Sequence, residues 1–226
     1  MYHAKQKRWA SRIWPKFSFM VETLNRNADM MATIRSYEAK AVQQFRDRAE
    51  LYAAVNKRLS NRAITYLEFG VWKGASLGEW LRLNTDQASR FYGFDSFEGL
   101  PEEWDHAFGK TKKGAFALNG SLPVIADPRV TLIKGWFQNT LRQFLNDYEL
   151  LHPIVIHNDS DLHSSTQYTL STLDPYLRAG DIIIFDEYSS PSNEYLAWEQ
   201  YRRAFMRQAE CIGMSDQWTQ AAFEIL

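Results

Sequence analysis

The sequence predicts an α/β protein with a Rossmann-like, doubly wound, mostly parallel seven-stranded sheet. Short β-rich runs alternate with helical stretches beyond Asn61, which is typical of right-handed βαβ units. The most hydrophobic run, 181–186, predicts a central strand covered on both faces. The last two β-prone runs are separated by only a few polar residues and therefore predict a C-terminal antiparallel hairpin. A chain of 226 residues fits one such domain with an extension.

An N-terminal helical extension is expected over residues 1–60, ahead of the main domain at 61–226. Residues 1 to about 30 show weak periodicity and no clear element. Apolar residues between Thr33 and Leu59 recur at helical spacing, which indicates one long helix or two short ones. This apolar stripe predicts packing against the core or against a second copy, so a homo-oligomer is expected.

The elements of the main domain follow in order. Strands are expected at 64–69, 91–95, 130–133, 154–157, 181–186, 210–214 and 221–226, and helices at 74–83, 139–148, 164–177 and 193–207. Gly180 is expected to cap the helix over 164–177 at its C-terminal end. The long polar segment 98–127 interrupts the alternation and is expected to be a loop or lid over a functional site.

Composition narrows the class of protein. The 26 basic and 27 acidic side chains nearly cancel, which argues against nucleic acid as the main partner. The single cysteine, Cys211, excludes an internal disulfide and a thiolate metal cluster, and a reducing cytoplasm is the natural compartment. No apolar run has the length of a signal peptide or a membrane span, so no membrane partner is expected.

A cofactor loop is predicted at 68–76, where the first strand of the domain ends. Gly70 and Gly74 allow a sharp turn and a close backbone approach to a ligand, and Glu68 lies two residues before the first glycine. The spacing differs from the Gly-x-Gly-x-x-Gly pattern of dinucleotide-binding proteins. Asp95 ends the next strand, where a carboxylate accepts hydrogen bonds from ribose hydroxyls. Together these residues predict an adenosyl cofactor, S-adenosylmethionine.

A second group of acids follows the fourth and fifth strands of the domain. Asp159, Asp186 and Glu187 are expected to meet at the carboxyl edge of the sheet and to share one hard cation, Mg²⁺. Such a cation lowers the pKa of an acceptor hydroxyl. The alternative is that these acids cap helices, which is the interpretation favoured for Asp161.

Three histidines are candidates for the general base, because histidine titrates near neutrality. His163 follows the acidic run directly and is the best placed. His106 is a further candidate, and His157 is either a base or a hydrogen-bonded core residue. Trp104 and Trp136 either stack on a ligand or pack in the core.

These motifs together resemble the macrocin O-methyltransferase family, whose members methylate sugar hydroxyls of antibiotics and related small molecules. The resemblance covers about 66–205. It is carried by Glu68-Phe69-Gly70-Val71-Trp72, Asp95-Ser96-Phe97-Glu98-Gly99-Leu100-Pro101, Lys134-Gly135-Trp136-Phe137, Asp159-Ser160-Asp161-Leu162 with Ser165-Thr166, and Gly180-Asp181 leading to Asp186-Glu187-Tyr188.

The resemblance implies a role for each matching residue. The implied cofactor contacts are Glu68, Gly70, Asp95, Ser96, Gly135, Trp136 and Phe137, and the implied metal positions are Asp159, Asp186 and Glu187. Asp159 is also assigned to the cofactor edge and, with His163, to catalysis. Two residues depart from the family: Glu187 stands where aspartate is typical, and His163 where an aromatic residue is usual.

The expected activity is methyl transfer from S-adenosylmethionine to a hydroxyl of a small acceptor. One alternative is a metal-independent methyltransferase acting on nitrogen or an acidic hydroxyl. Another is a methyltransferase fold kept as a non-catalytic binding module. An NAD-dependent oxidoreductase matches the glycine spacing poorly.

Overall fold

A computed structural model describes residues 2–106 and 109–226, with side chains described from residue 21 onward except at 107, 108 and 216. The helices are α1 (Tyr2–Ala39), α2 (Arg48–Arg58), α3 (Ala75–Leu83), α4 (Phe137–Asp147), α5 (His163–Leu173) and α6 (Glu194–Ala204). The strands are β1 (Gln44–Phe45), β2 (Thr65–Phe69), β3 (Arg90–Asp95), β4 (Trp104–His106), β5 (Gly109–Thr111), β6 (Val130–Lys134), β7 (Ile154–Asn158), β8 (Ile182–Phe185), β9 (Ala209–Ser215) and β10 (Ala221–Ile225).

The main sheet has the order β1-β9-β10-β8-β7-β2-β3-β6. Strands β6, β3, β2, β7 and β8 pair in parallel, and β10 pairs antiparallel with both β8 and β9. The Rossmann-like α/β prediction and the C-terminal hairpin are therefore confirmed. The seven expected strands are joined by an eighth, β1, which pairs in parallel with β9 at the edge.

Burial on both faces explains why the central strands are so apolar. All residues of β2, β7 and β8 are buried. Side chains alternate along each strand, so Leu67 and Phe69 belong to one core cluster while Tyr66 belongs to the other. The same alternation directs Glu68 and His157 to one face of the sheet, in register with each other on β2 and β7.

The N-terminal part differs from the prediction. The first 30 residues lie almost entirely in α1, which the weak periodicity missed because a helix can form on backbone propensity without a narrow apolar face. Over 33–59, where one long helix or two short ones were expected, the structure has two helical parts, the end of α1 and α2, separated by β1. Asp47 begins α2 by accepting a hydrogen bond from the Glu50 amide.

The apolar stripe packs within the chain. Ile34 and Tyr37 are buried in one core cluster, and Tyr52 and Val55 in the other. These four residues of the stripe therefore pack within the chain, and the homo-oligomer stays a prediction.

Gly180 does not cap α5, and that prediction was wrong. The helix ends at Leu173 and passes into a short 3₁₀ turn at 174–176. Pro175 lacks the amide hydrogen that would continue the α-helical hydrogen bonds, so the α-helix ends and the chain passes into the 3₁₀ turn. Gly180 lies in the turn before β8 with φ +91° and donates its N–H to Ile225 O.

The segment 98–127 is more ordered than the predicted loop. It contains the hairpin β4–β5, and Leu100 and Trp104 pack against Leu162. Asn193 Nδ2 donates to the carbonyl oxygen of Asp105, which ties this lid to α6. Within the described part of the chain, no helix is both long enough and apolar enough to cross a membrane.

Candidate active site

A cavity of about 380 Å³ opens at the carboxyl ends of the parallel strands. It is lined by Gly70, Trp72, Asp95, Ser96, Gly99, Leu100, Pro101, Trp104, Phe116, Trp136, Phe137, Gln138, Asp159, Ser160, Asp161, Ser165 and Glu187. The structure therefore brings together seven of the predicted site residues: Gly70, Asp95, Ser96, Trp136, Phe137, Asp159 and Glu187. Glu68, Gly74, Gly135, Asp186 and His163 do not line it.

The predicted glycines have different roles. Gly70 has φ +100°, and a Cβ atom there would lie 1.8 Å from the carbonyl oxygen of Asp159. Gly74 has φ +77° and begins α3, where a Cβ atom would contact Ile125 Cδ1 at 2.9 Å. Gly70 thus shapes the cavity wall, whereas Gly74 shapes the helix start behind it.

The Asp95 carboxylate holds the cofactor loop. Its Oδ2 accepts the amides of Val71 at 2.9 Å and Trp72 at 2.7 Å, and its Oδ1 accepts the amide of Phe97 at 2.6 Å. A carboxylate has about four acceptor positions, so about one remains for a ribose hydroxyl. The other acceptor positions of Asp95, expected from the sequence to serve a ribose, are taken by backbone amides.

Glu68 is fully buried behind the loop. Its Oε1 accepts from Ser76 Oγ at 2.7 Å, and its Oε2 accepts from Tyr66 OH at 2.6 Å. The resemblance implied a cofactor contact for Glu68, but its side chain packs beneath the loop and outside the cavity lining.

Aromatic rings line much of the cavity. Trp72 and Phe116 are each 43% exposed and lie edge to face at 5.8 Å between ring centroids. Both have positive φ, 46° and 66°, which is rare for bulky side chains and is found at functional sites. Trp136 and Phe137 line another part of the wall, at the start of α4.

The acids meet at the ends of β7 and β8. Asp159, Asp161 and Glu187 line the cavity, and Asp186 lies beside them. Candidate ligand atoms of His157, Asp159 and Asp186 all lie within 4.8 Å of one another. Glu187, predicted as the third metal position, is outside that compact group, and His157 takes its place there.

His157 is the hydrogen-bonded core residue that the sequence offered as one alternative. Its Nδ1 lies 2.8 Å from Tyr66 OH, and its Nε2 lies 3.0 Å from Tyr52 OH and 3.8 Å from Asp186 Oδ1. Burial disfavours the charged ring, but Asp186 and Glu68 outweigh it and raise the pKa of His157 to about 10.

The neighbouring charges and burial shift the pKa values of these acids. Burial, followed by the charges of Glu187 and Asp186, raises the pKa of Asp161 to about 7. Burial and Asp186 raise the pKa of Glu187 to about 7. For Asp186, burial opposes ionisation, yet His157, Arg48 and Tyr52 together lower its pKa.

Two sequence-based assignments for single residues change. Asp161 does not cap α5, because Leu162 holds the capping position and no side chain bonds there. Asp161 instead faces the cavity, with φ +61°. His163 Nε2 lies 2.8 Å from Gln200 Oε1 and outside the cavity lining. The ring of His106 packs against that of Trp104 in a tilted arrangement, with 4.3 Å between ring centroids.

Sequence reasoning missed three residues near the acids. Arg48 and Tyr52 of α2 contact Asp186, and Glu194 bonds the loops that follow β7 and β8. The first two lie in the supposed extension, and nothing in the one-dimensional sequence connects them to residue 186. Glu194 in the first turn of a helix looks like an ordinary helix-start acid.

The family described as macrocin-O-methyltransferase (TylF) matches residues 46–220, which is most of the chain. This chain belongs to that family. The match includes the cofactor loop, Asp95, the lid and all the acids described above, so the sequence-based resemblance is confirmed.

Two relatives from Streptomyces share part of the chain. The 8-demethyl-8-(2,3-dimethoxy-alpha-L-rhamnosyl)-tetracenomycin-C 4'-O-methyltransferase of Streptomyces olivaceus is 33% identical over 141 residues, 54% of this chain and 52% of that protein. The demethyldecarbamoylnovobiocin O-methyltransferase of Streptomyces niveus is 26% identical over 156 residues, 62% and 58% of the two chains. The chain thus matches somewhat more than half the length of these relatives.

Among solved structures, the calicheamicin methyltransferase CalS11 is similar, with a TM-score of 0.63, 22% identity and 78% of each chain covered. This likeness shows that the two chains share the methyltransferase fold.

Proposed function

We propose that this family member transfers a methyl group from S-adenosylmethionine to a hydroxyl of a small natural-product acceptor, such as a sugar. The observation that carries the proposal is one cavity lined both by Gly70 of the cofactor loop and Asp95 and by the carboxylates of Asp159, Asp161 and Glu187. Family membership and the named activities of the two Streptomyces relatives support it.

The cavity residues fit an adenosyl cofactor. Gly70 lines the cavity, and Asp95 keeps an acceptor position for a ribose hydroxyl. Trp136 and Phe137 offer aromatic surface suited to an adenine ring. When bound, S-adenosylmethionine supplies an already activated methyl group, so this chain mainly positions donor and acceptor, a contribution of up to roughly 7–11 kcal/mol.

The acids fit a hard divalent cation, and we propose Mg²⁺ held by Asp159, Asp186 and Glu187. Their mutual repulsion, seen in the raised pKa of Glu187, is the charge problem that a cation offsets. Both ring nitrogens of His157 are already engaged by tyrosine hydroxyls, so His157 supports the site without being a ligand.

Asp161 is the side chain best placed to take the proton of the acceptor hydroxyl. It lines the cavity, and in the metal-free protein burial and the neighbouring acids Glu187 and Asp186 raise its pKa to about 7. A general base works best with a pKa near the operating pH. The sequence-based candidate, His163, stays a prediction.

One observation favours a metal-independent reaction as a second candidate. Arg48 and His157 each lie 3.8 Å from Asp186 and partly neutralise its charge without a metal ion. In that version Asp161 acts on an acidic hydroxyl or a nitrogen.

A methyl-transfer assay with radiolabelled S-adenosylmethionine and a panel of glycosylated natural products tests the proposal. We expect labelled product, its loss with EDTA and its recovery with Mg²⁺. Activity that survives EDTA and Asp186→Asn selects the metal-independent candidate. Absence of binding of S-adenosylmethionine or S-adenosylhomocysteine to the purified protein refutes the proposal as a whole.

A further inference from the structure

Glu194 spans the ends of two neighbouring strands. It lies in the first turn of α6 and is fully buried. Its Oε2 accepts the backbone amide of Glu187 at 2.8 Å, after β8. Its Oε1 accepts the backbone amide of Ser160, after β7, at 3.3 Å and the side-chain amide of Asn158, the last residue of β7, at 3.1 Å. One carboxyl group therefore joins the two loops that carry the acids of the cavity.

Stability alone does not account for an acid at this position. Across the described side chains, no lysine, arginine or histidine forms an ion pair with Glu194. Burial raises the pKa of Glu194 well above its ordinary value, and Asp161, Asp186 and Glu187 raise it further. Burying a carboxyl group among other acids is costly, and the N-terminus of α6 offsets only part of that cost.

The bonds of Glu194 have a geometric consequence. Asp159 lies between two of its partners, Asn158 and Ser160, and Glu187 donates its own amide. The same Asn158 amide also donates to Thr166 Oγ1 at 2.8 Å, which fixes the loop to α5. The pairing of β7 with β8 and the bond from the Asp186 amide to Asn158 O at 3.0 Å hold the starts of the two loops together. Beyond that point, the Glu194 side chain bridges them to each other through its length and acceptor pattern.

We infer that Glu194 is a positioning residue, which sets the distance between the Asp159 loop and the Asp186–Glu187 loop so that their carboxylates converge on one cation. The cation in this inference rests on the proposed function, whereas the hydrogen bonds that link the two loops do not depend on it. Glu194 does not line the cavity and is not assigned any contact with substrate or cofactor.

The variant Glu194→Gln tests the inference, because glutamine has nearly the same shape but one of its two terminal atoms is a donor. Whichever way the amide is turned, at least one loop amide loses its acceptor. We expect Mn²⁺, used as a spectroscopic substitute for Mg²⁺, to bind roughly 10–100-fold more weakly, measured by the electron paramagnetic resonance of free Mn²⁺.

Glu199→Gln is the matched control. Glu199 lies on the same helix, its side chain is 13% exposed, and it pairs with Arg202 and Arg203, away from both loops. We expect Mn²⁺ binding by this variant to equal that of the wild type. Unchanged Mn²⁺ affinity in folded Glu194→Gln, with a wild type that binds the ion, overturns the inference.

Amide hydrogen exchange without metal separates this inference from the proposed function. We expect peptides covering 158–162 and 186–190 to exchange faster in Glu194→Gln than in the wild type, and to be unchanged in Glu199→Gln. A wild type that binds no Mn²⁺ removes the metal from the proposed function, and the exchange data still decide the role of Glu194. Unchanged exchange in both loops overturns that role. If Glu194→Gln fails to fold by circular dichroism, Glu194→Asp, which keeps the charge but is too short to reach both loops, undergoes the same two measurements.

Discussion

Gly70 lies directly against the backbone carbonyl of Asp159. The cofactor loop and the loop after β7 therefore meet at a point where even a methyl group has no room. A Cβ atom at Gly70 would lie 1.8 Å from that oxygen and 2.8 Å from the carbonyl carbon. Both atoms belong to backbone, which cannot turn away as a side chain can. Any residue larger than glycine must push the two halves of the cavity apart.

Gly70→Ala is therefore expected to destabilise the protein and to abolish S-adenosylhomocysteine binding. Gly180→Ala is the control, because Gly180 has a similar φ of +91° but its Cβ would meet nothing within 4 Å. Backbone strain of about 1–3 kcal/mol applies to both variants, and overpacking adds about 1–3 kcal/mol only at Gly70. Thermal melts and calorimetric binding check this, and equal effects of the two variants would show that only the positive φ matters.

Asp161→Asn is expected to lower kcat by roughly 10²–10⁴-fold, because it removes the group proposed to accept the proton. His163→Ala tests the sequence-based assignment at a neighbouring position whose side chain bonds Gln200 outside the cavity. Steady-state kinetics at saturating S-adenosylmethionine decide between them. A large loss in His163→Ala with near-normal Asp161→Asn would return the role of base to the histidine.

Stability of the metal-free protein is expected to fall as pH rises from about 5 to 9. Asp161 and Glu187 have pKa values of about 7 in the folded state, above those of exposed acids, so the unfolded chain releases these protons first and is favoured as pH rises. His157, with a pKa of about 10, contributes stability that is complete below pH about 6.5 and is lost as pH rises through its folded value. All three effects have the same sign.

Thermal melts in EDTA across this pH range measure the effect, with about 2–4 °C expected for each kcal/mol lost. The double variant Asp161→Asn with Glu187→Gln is expected to flatten the profile. Saturating Mg²⁺ is expected to reverse the slope, because cation binding requires ionised carboxylates. A metal-free melting temperature that rises towards pH 9 would contradict the assigned pKa directions.

Trp72 and Phe116 are expected to act as a pair at the cavity. Replacing either by alanine removes an edge-to-face contact of about 0.5–1.5 kcal/mol and exposes the cavity to water. We expect weaker ligand binding in each variant, and a double variant that costs less than the sum of the two. Phe205→Ala is the control, since Phe205 is 38% exposed and contacts the ring of Tyr201, away from the cavity. Strict additivity of the Trp72 and Phe116 effects would show that the two rings act independently.

Local patterns predicted the parts of the fold that depend on local physics. Strand alternation, the turn at Gly70 and the acids after β7 and β8 all follow from neighbours in sequence. The sequence also placed Asp95 at the end of its strand, where it lines the cavity, but did not predict that its oxygens accept the backbone amides of Val71, Trp72 and Phe97. That sharing depends on how closely two loops approach, which residue spacing does not encode.

The errors have a common physical origin in contacts between distant parts of the chain. His157 joins the Asp159–Asp186 group because β7 places its side chain on the same face as Tyr66 and Tyr52. Asp161 turns into the cavity through a left-handed backbone conformation, which no residue pattern announced. Residues 2–30 lie in α1 although their apolar residues show only weak periodicity, so the pattern that reveals most helices was absent there.

Edge strand β1 and helix α2 determine where a chimera between members of this family should be joined. β1 completes the sheet beside β9, and Arg48 and Tyr52 of α2 touch Asp186 from behind the cavity. In a chimera that joins residues 61–226 of this chain to the N-terminal part of a relative, the α2 residues that contact Asp186 would therefore come from the relative. A segment exchanged between relatives should begin before Gln44, so that β1 stays with β9 and Tyr52 stays with Asp186.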